Sequence, residues 1–370
     1  MLESHQHECQ QDSSLSHIYA DIGFKTFLSV VLKNDLFLRV GSLNLGRIEA
    51  MARNDEIRLM TKVARMYYSQ SIRQTEITER LNIHQSTVSR LLKKAQQAGI
   101  VRISVTVPNG IHADLEEALE TRFGLTEAIV VDSVNNNEEQ IARDLGAAAA
   151  YFLELAIKPR EIIGISSWSA ALFEMINAMH PSKASAESKV VQILGGLGNP
   201  AAQTHATHLT QRLASLIGGS AILLPAPGIT SSPEAKRVLM KESYVRAAAA
   251  LFDNVNLVLV GIGTLEPSKL LASSGNVFSP QELTSLQKQG AVGDICLQFF
   301  DAAGIPVRTA LAERVIGITL PQVKRARRVV ALAGGKRKIH AILGALNGKW
   351  INVLITDRWT AKAVLEASRS

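Results

Sequence analysis

Cysteine is nearly missing from this 370-residue chain, which has two, Cys9 and Cys296. They stand far apart in unlike contexts, so neither a disulfide framework nor a zinc-ligand spacing can be built from them. That usage fits a reducing cytosol. Long apolar runs are missing too: none approaches the roughly 20 residues that a membrane-spanning helix needs. The polar start, with His5, His7 and Glu8, does not read as a secretory signal, and none is expected. The expected location is cytoplasmic, without membrane contact. Catalytic signatures are equally thin. Gly164-Ile165-Ser166-Ser167-Trp168 lacks the last glycine of a nucleophile elbow. Gly334-Gly335-Lys336-Arg337-Lys338 lacks the upstream glycine of a phosphate loop and the Ser or Thr that would hold magnesium. His205 and His208 have helical spacing but no third ligand, and Cys296 has no histidine nearby in sequence. No catalytic residue, metal or cofactor is expected.

What is present is a globular composition, 46% apolar and 20% charged, long enough for two domains plus extensions. The formal charge is +7 and the pI about 9.4, and the surplus is concentrated. Residues 53–102 hold ten Lys/Arg against four Asp/Glu; the 268 residues after them hold 26 against 23. A cationic surplus packed into one small segment is the footprint of a polyanion-binding module.

Within that segment, RQTEITERLNIHQSTVSRLLKKAQQAGI (Arg73–Ile100) reads as two short helices around a tight turn. Ile77 and Leu81 share a face of the first; Val88, Leu91, Leu92 and Ala95 form the buried stripe of the second, and Gly99 ends it. The opposite face offers amides and hydroxyls first and basic groups a turn later, as major-groove reading requires. The recognition helix is placed at Gln85–Lys94. Candidate DNA contacts are Arg73, Gln74, Gln85, Ser86, Thr87, Ser89, Arg90, Lys93 and Lys94. The plainer alternative is a surface helical hairpin with a solvated basic face. A preceding helix is expected over Asp55–Ser69, with Ile57, Met60, Val63, Ala64 and Tyr67 inward. The alternation Val101, Ile103, Val105, Val107 marks a wing strand that Pro108-Asn109-Gly110 ends. The helix-turn-helix domain is thus 53–108. Residues 1–52 show little periodicity and are expected to form a poorly ordered extension.

A linker, 109–124, carries a helix over Ile111–Phe123 whose apolar stripe serves either packing or a dimer contact. From 125 to 370 the texture is strand and helix in alternation. Strands are predicted at Ala128–Val131, Ile162–Ile165, Val190–Leu194, Ala221–Leu224, Leu257–Val260, Ile295–Phe299, Val329–Ala333 and Val353–Ile355. Helices are predicted at Glu138–Ala156, Ala170–Met179, Ala202–Ile217, Pro233–Phe252, Pro280–Gln289, Arg337–Leu346 and Thr360–Ala367. Continuous apolar strands alternating with helices predict an α/β domain on a mainly parallel sheet, with ligands beyond the strands' carboxyl ends.

The loops at those ends carry the candidate chemistry. Ser166, Ser167, Trp168 and Ser169 precede a helix, where hydroxyls and free N–H groups suit a phosphate or simply cap the helix. Gly196, in Gly195-Gly196-Leu197-Gly198, and Gly261 and Gly263 let backbone approach a ligand. Pro225-Ala226-Pro227-Gly228-Ile229 is stiff enough to shape a wall. Asp294 and Asp301 are sugar-hydroxyl acceptors or turn residues. Lys338, in the first turn of the late helix, is the lysine placed to meet a phosphate, while Lys336 and Arg337 read as solvated.

Taken together, STVSRLLKKAQQAGIV (Ser86–Val101), VVQILGGLG (Val190–Gly198), VLVGIGT (Val258–Thr264), GAVGDICLQFFDAAG (Gly290–Gly304), RVIGITL (Arg314–Leu320) and AGGKRKIHAILGALNGKWINVLITDRWTA (Ala333–Ala361) resemble the SorC-type sugar-binding transcriptional regulators of bacteria. The resemblance runs from about residue 53 to the end. It implies a helix-turn-helix joined to an effector domain similar to sugar-phosphate isomerases. It also implies binding to a double-stranded operator, control by a phosphorylated sugar or polyol, and a homodimer or homotetramer. By position, the Ser166–Ser169 loop and Lys338 match the family's phosphate elements, and Asp294 faces the sugar. Two features depart from the pattern: His84 opens the recognition helix where Ser or Thr is usual, and serines replace a loop often richer in Gly and Thr. The expected function is control of a carbohydrate or polyol catabolic operon. The alternatives are a sugar-phosphate isomerase-like enzyme and a sugar-phosphate-binding scaffold.

Overall fold

The computed structural model describes residues 54–102, 110–182, 187–198, 200–266 and 279–369. They fall into two compact units, 54–102 and 110–369. The extension expected at 1–52 and the wing's Ile103, Val105 and Val107 lie outside the described residues.

The first unit is helical. Helix α1 (54–64) runs into a π-turn, Arg65–Ser69. It is followed by α2 (Gln74–Leu81) and α3 (Gln85–Gln97). Met60, Val63, Ala64 and Met66 of the first helix pack on Ile77, Val88, Leu91, Leu92 and Ala95. The α3 stripe is the one its apolar spacing predicts. In α1 the expectation needs correcting: Ile57 and Tyr67 are 44% and 36% exposed, and Met66 is buried instead. For Tyr67 the π-turn is the reason, because i→i+5 bonding unwinds the last turn and rotates it off the inner face; nothing in the structure explains the exposure of Ile57. Between α2 and α3, Asn82 sits at φ 51°, ψ 48°, a left-handed position that asparagine tolerates better than most residues.

The second unit is α/β. Helix α4 (Ala113–Phe123) leads to β1 (Glu127–Val131), α5 (Glu138–Ala156) and β2 (Ile162–Ile165). Then come α6 (Ala170–Ala178), β3 (Lys189–Gln192), α7 (Pro200–Ile217) and β4 (Ser220–Ile222). The chain continues through α8 (Pro233–Leu239), α9 (Ser243–Ala249), β5 (Leu257–Gly261) and α10 (Pro280–Lys288). It ends with β6 (Ala291–Ile295), β7 (Gln298–Asp301), α11 (Leu320–Arg325), β8 (Arg328–Leu332), α12 (Ile339–Asn347), β9 (Val353–Asp357) and α13 (Arg358–Ala367). Seven strands make one sheet in the order β1-β9-β8-β5-β2-β3-β4, and every pairing in it is parallel.

The strands are apolar along their length because both faces are covered. Leu257 and Leu259 of β5 face the layer of α5, α6 and α7, while Val258 and Val260 face the opposite layer with α12 and α13. At the edge, β1 has no strand on its outer side among the described residues. Two glutamates of α4 close that edge: Glu116 Oε1 accepts from the Val130 N–H and Glu120 Oε1 from the Ala128 N–H, each at 2.9 Å. Leu119 between them is fully buried, so the stripe of α4 packs on its own domain.

Two expectations fail here. The predicted strand Ile295–Phe299 is the tip of an antiparallel hairpin, β6–β7, which turns at Cys296 and Leu297. The predicted helix Pro233–Phe252 is two helices with a break at residues 240–242.

Candidate functional site

The strand order reverses between β2 and β5. From β2 the chain moves outward through β3 to β4; from β5 it moves the other way through β8 to β9. Loops leaving the carboxyl ends of two such strands diverge and leave a crevice, the usual ligand position of an open parallel sheet. A cavity of about 170 Å³ lies there.

After β2 it is lined by Ser166, Trp168 and Ser169; after β5 by Gly261, Ile262, Gly263, Thr264 and Glu266; after β8 by Gly334, Arg337 and Lys338. The β6–β7 hairpin contributes Asp294, Cys296 and Leu297, and the first turns of α5 contribute Glu138 and Ile141. Seven of the nine effector residues read from the sequence therefore meet in one place: Ser166, Trp168, Ser169, Gly261, Gly263, Asp294 and Lys338. The other two do not line it. Ser167 is buried, donating to the Leu194 carbonyl at 2.9 Å and accepting from Gln192 at 3.3 Å. Gly196 packs against Gln192 and Ala206. The Pro225–Ile229 segment is also elsewhere, with Pro227 bridged to Leu197 and Ile229 to Val315.

Local chemistry explains the assembly. Ser169 caps α6, its Oγ accepting from the Leu172 N–H at 3.3 Å. The next two residues, Ala170 and Ala171, line the cavity at the helix's positive end, where N–H groups lack intrahelical acceptors. Gly261 is required by closeness, since an added Cβ would lie 2.9 Å from Ser169 Oγ. Gly263 exchanges two backbone hydrogen bonds with Asp294, at 2.9 and 3.2 Å, and a Cβ there would collide with the Asp294 carboxylate at 2.0 Å. The Gly334–Lys338 loop is fixed from β9: the Gly335 N–H donates to Asp357 Oδ2 at 3.0 Å and Thr360 Oγ1 at 2.7 Å.

Asp294 is both a turn residue and a cavity residue. Its Oδ2 accepts from the Leu297 N–H at 2.8 Å and closes the hairpin. Burial raises its carboxyl to about 6, against the pull of that N–H and of the Lys338 charge. Asp301 is a turn residue, its Oδ1 accepting from the N–H groups of Ala303 and Ile305. Lys338 is half-buried; burial lowers its pKa, while the Glu138 and Asp294 carboxylates hold it up. Burial pushes the Cys296 thiol up to about 12, so it is an inert wall group. The Trp168 indole N–H is buried and has no hydrogen-bond partner among the described residues, leaving a donor free for a ligand acceptor.

Sequence reasoning missed Arg337 and Glu138. Arg337 is exposed but paired: its Nε and a terminal nitrogen meet the two Glu138 oxygens at 2.5 and 2.7 Å, and its other terminal nitrogen lies 3.3 Å from Glu266. The partners are 199 residues apart, and no local pattern announces such a pair. His205 stacks on Phe173 at 4.9 Å, and among the described residues no group of His, Cys, Asp and Glu could hold a metal ion.

In the first unit, Gln85, Ser86, Ser89, Arg90, Lys93, Lys94 and Arg73 are exposed, and Thr87 and Gln74 are half-buried. Lys94 is committed in part, its Nζ 2.6 Å from Glu56, whose carboxyl it holds below the usual range.

A parallel sheet with a polar crevice at its reversal point defines a small-molecule-binding α/β domain, here following a small helical unit. Known proteins give that class a family. The model described as "Putative sugar-binding domain" matches residues 108–366. The deoxyribonucleoside regulator of Bacillus subtilis (strain 168) is 34% identical over 307 residues, 83% of this chain and 97% of that protein. The sorbitol operon regulator of Klebsiella pneumoniae is 31% identical over 318 residues, 85% of this chain and 100% of that protein. The crystal structure of the full-length sorbitol operon regulator SorC from Klebsiella pneumoniae matches with a TM-score of 0.63 at 31% identity, covering 84% of this chain and 98% of that one. The chain belongs to the SorC-type sugar-binding transcriptional regulators. It is a regulator and not a sugar-phosphate isomerase, since these relatives are regulators matched over nearly their whole length.

Proposed function

We propose that this regulator controls a carbohydrate or polyol operon in the cytoplasm. The unit 54–102 binds double-stranded operator DNA, and the cavity of the second unit binds a phosphorylated sugar or polyol. The observation that carries the effector half is the convergence of Ser169, Lys338 and Asp294, from two loops and the β6–β7 hairpin, on one cavity. A helix N-terminus and a lysine suit a phosphate, and a buried carboxylate suits sugar hydroxyls. The relatives, a sorbitol operon regulator and a deoxyribonucleoside regulator, support an effector of that kind.

For the DNA half, Gln85, Ser86, Ser89 and Arg90 present base-reading groups from the exposed face of α3. Arg73, Gln74, Thr87, Lys93 and Lys94 serve the phosphates. Recognition helices of this kind act in pairs on two half-sites, which makes a homodimer or homotetramer the working form. Tyr151 and Leu155, one turn apart on α5 and 69% and 73% exposed, offer an apolar face for such assembly. Effector binding then shifts the population between two subunit arrangements, through its unequal affinity for them.

The test is a mobility-shift titration of a palindromic operator with and without a panel of sugar and polyol phosphates. Binding that weakens steeply with salt and changes with one phosphorylated compound supports the proposal. Operator affinity indifferent to the whole panel, with no change in thermal stability, sinks the effector half.

A further inference from the structure

The charge on the cavity wall is not what a phosphate site alone requires. Arg337 and Lys338 are there, but so are Glu138, Glu266 and Asp294. A dianion entering this cavity meets carboxylates already in place, so one of them has to give way. Asp294 is the least able to move, being buried and bonded to the Leu297 N–H. Glu266 reaches Arg337 through one contact at 3.3 Å. Glu138 is different: both its oxygens lie on the Arg337 fork, at 2.5 and 2.7 Å. That two-point geometry is the one a phosphate uses on a guanidinium. The pair is about half exposed, with side chains 53% and 55% accessible, so its own contribution to stability is small and exchange of partner costs little.

We propose that Glu138 is a resident competitor for the effector's phosphate. Its carboxylate occupies the Arg337 fork at the cavity mouth, and the arriving phosphate displaces it. Glu138 is the first residue of α5, beside the capping Asn137 that accepts from the Gln140 N–H at 2.7 Å. Displacement therefore acts on the start of the helix whose far end carries Tyr151 and Leu155. The proposal rests on the phosphate reading of the cavity and adds Arg337 as a phosphate ligand and Glu138 as the group that sets its affinity.

The test uses inorganic phosphate as the probe, titrated into the full chain against sodium chloride of equal ionic strength and followed by calorimetry and melting temperature. Glu138→Gln is expected to bind phosphate about three- to tenfold more tightly than the parent chain. Arg337→Gln is expected to bind it more weakly, and the double variant to show no gain over Arg337→Gln alone, because the competition needs both partners. Unchanged or weaker binding by Glu138→Gln, where the parent chain does bind phosphate, overturns the competitor role and leaves the phosphate reading standing. A gain that persists in the double variant overturns it as well, because the effect is then one of general charge. No phosphate binding by any of the four chains removes the phosphate reading and this inference together.

Discussion

Asp294 shows how one side chain carries two demands. Its Oδ2 closes the hairpin on the Leu297 N–H, and its place in the cavity wall keeps it buried. Its carboxyl is raised from 3.8 to about 6, so the folded chain binds a proton more readily than the unfolded one. Stability is then fully present below about pH 4 and declines as pH rises towards 6, the reverse of a salt-bridged aspartate. Asp294→Asn keeps an acceptor for Leu297 and removes the buried charge. The variant should be more stable than the parent at pH 8, by a gain of the order of 2 kcal/mol, and nearly equal at pH 4. Urea unfolding at the two pH values measures this, and equal differences at both would contradict it. Lys338 was legible in the sequence because it follows a parallel strand, where such sheets place their chemistry, and Asp294 because it stands in a glycine-rich stretch, although that stretch belongs to the β6–β7 hairpin. Arg337 and Glu138 were not, since their pairing exists only once β8 and the start of α5 are brought together. Ser167 misled for the same reason: a third serine beside two cavity serines looks alike in sequence, but its hydroxyl is spent on the Leu194 carbonyl.

Among the elements, α3 was the easiest to read, because four apolar residues at helical spacing leave one arrangement for the stripe. Its start is its weak point. His84 has the extended backbone of a cap, φ −67° and ψ 148°, but no side-chain bond to the first turn. His84→Ser supplies that acceptor and should stabilise the first unit by about 0.5–1 kcal/mol, seen as a higher denaturant midpoint with operator affinity retained. The β6–β7 tip was illegible because both turn residues, Cys296 and Leu297, hold positive φ, 53° and 62°, where glycine or asparagine is usual. Without that punctuation an apolar run reads straight through as a strand. The break after α8 likewise carries neither glycine nor proline. Helix α4 was legible as a helix but not in its task. Glu116 and Glu120 look like solvent residues at i, i+4 spacing, yet they satisfy the free N–H groups of the β1 edge. Glu116→Ala or Glu120→Ala should each cost about 1–3 kcal/mol, whereas the Gln variants keep the acceptor and lose less. Equal losses for Ala and Gln would deny the edge-closing role.

At the scale of the whole chain, the proposed division of labour between the cationic unit and the parallel-sheet unit can be tested with two substitutions. The strand order was beyond the sequence, because parallel neighbours such as β1 and β9 pair residues over 220 positions apart, Glu127 with Val353. Which loops would share a cavity was therefore settled only by the fold. Arg90 lies on the exposed face of α3 in one unit, and Lys338 on the cavity wall of the other. Arg90→Ala should weaken operator binding by about 1–3 kcal/mol and relax preference at one base position, with the melting shift induced by the effector unchanged. Lys338→Ala should leave operator affinity without effector at the parent value and move the effector dose–response to higher concentration. An ionic contact of this kind at a half-buried lysine is worth about tenfold or more in affinity. The two variants together then behave additively in operator binding without effector, because their sites share no partner. A loss of basal operator affinity in Lys338→Ala would mean that the lysine holds the fold or the subunit arrangement. The crossed result, effector response lost in Arg90→Ala, would mean that the two units do not divide the work this way.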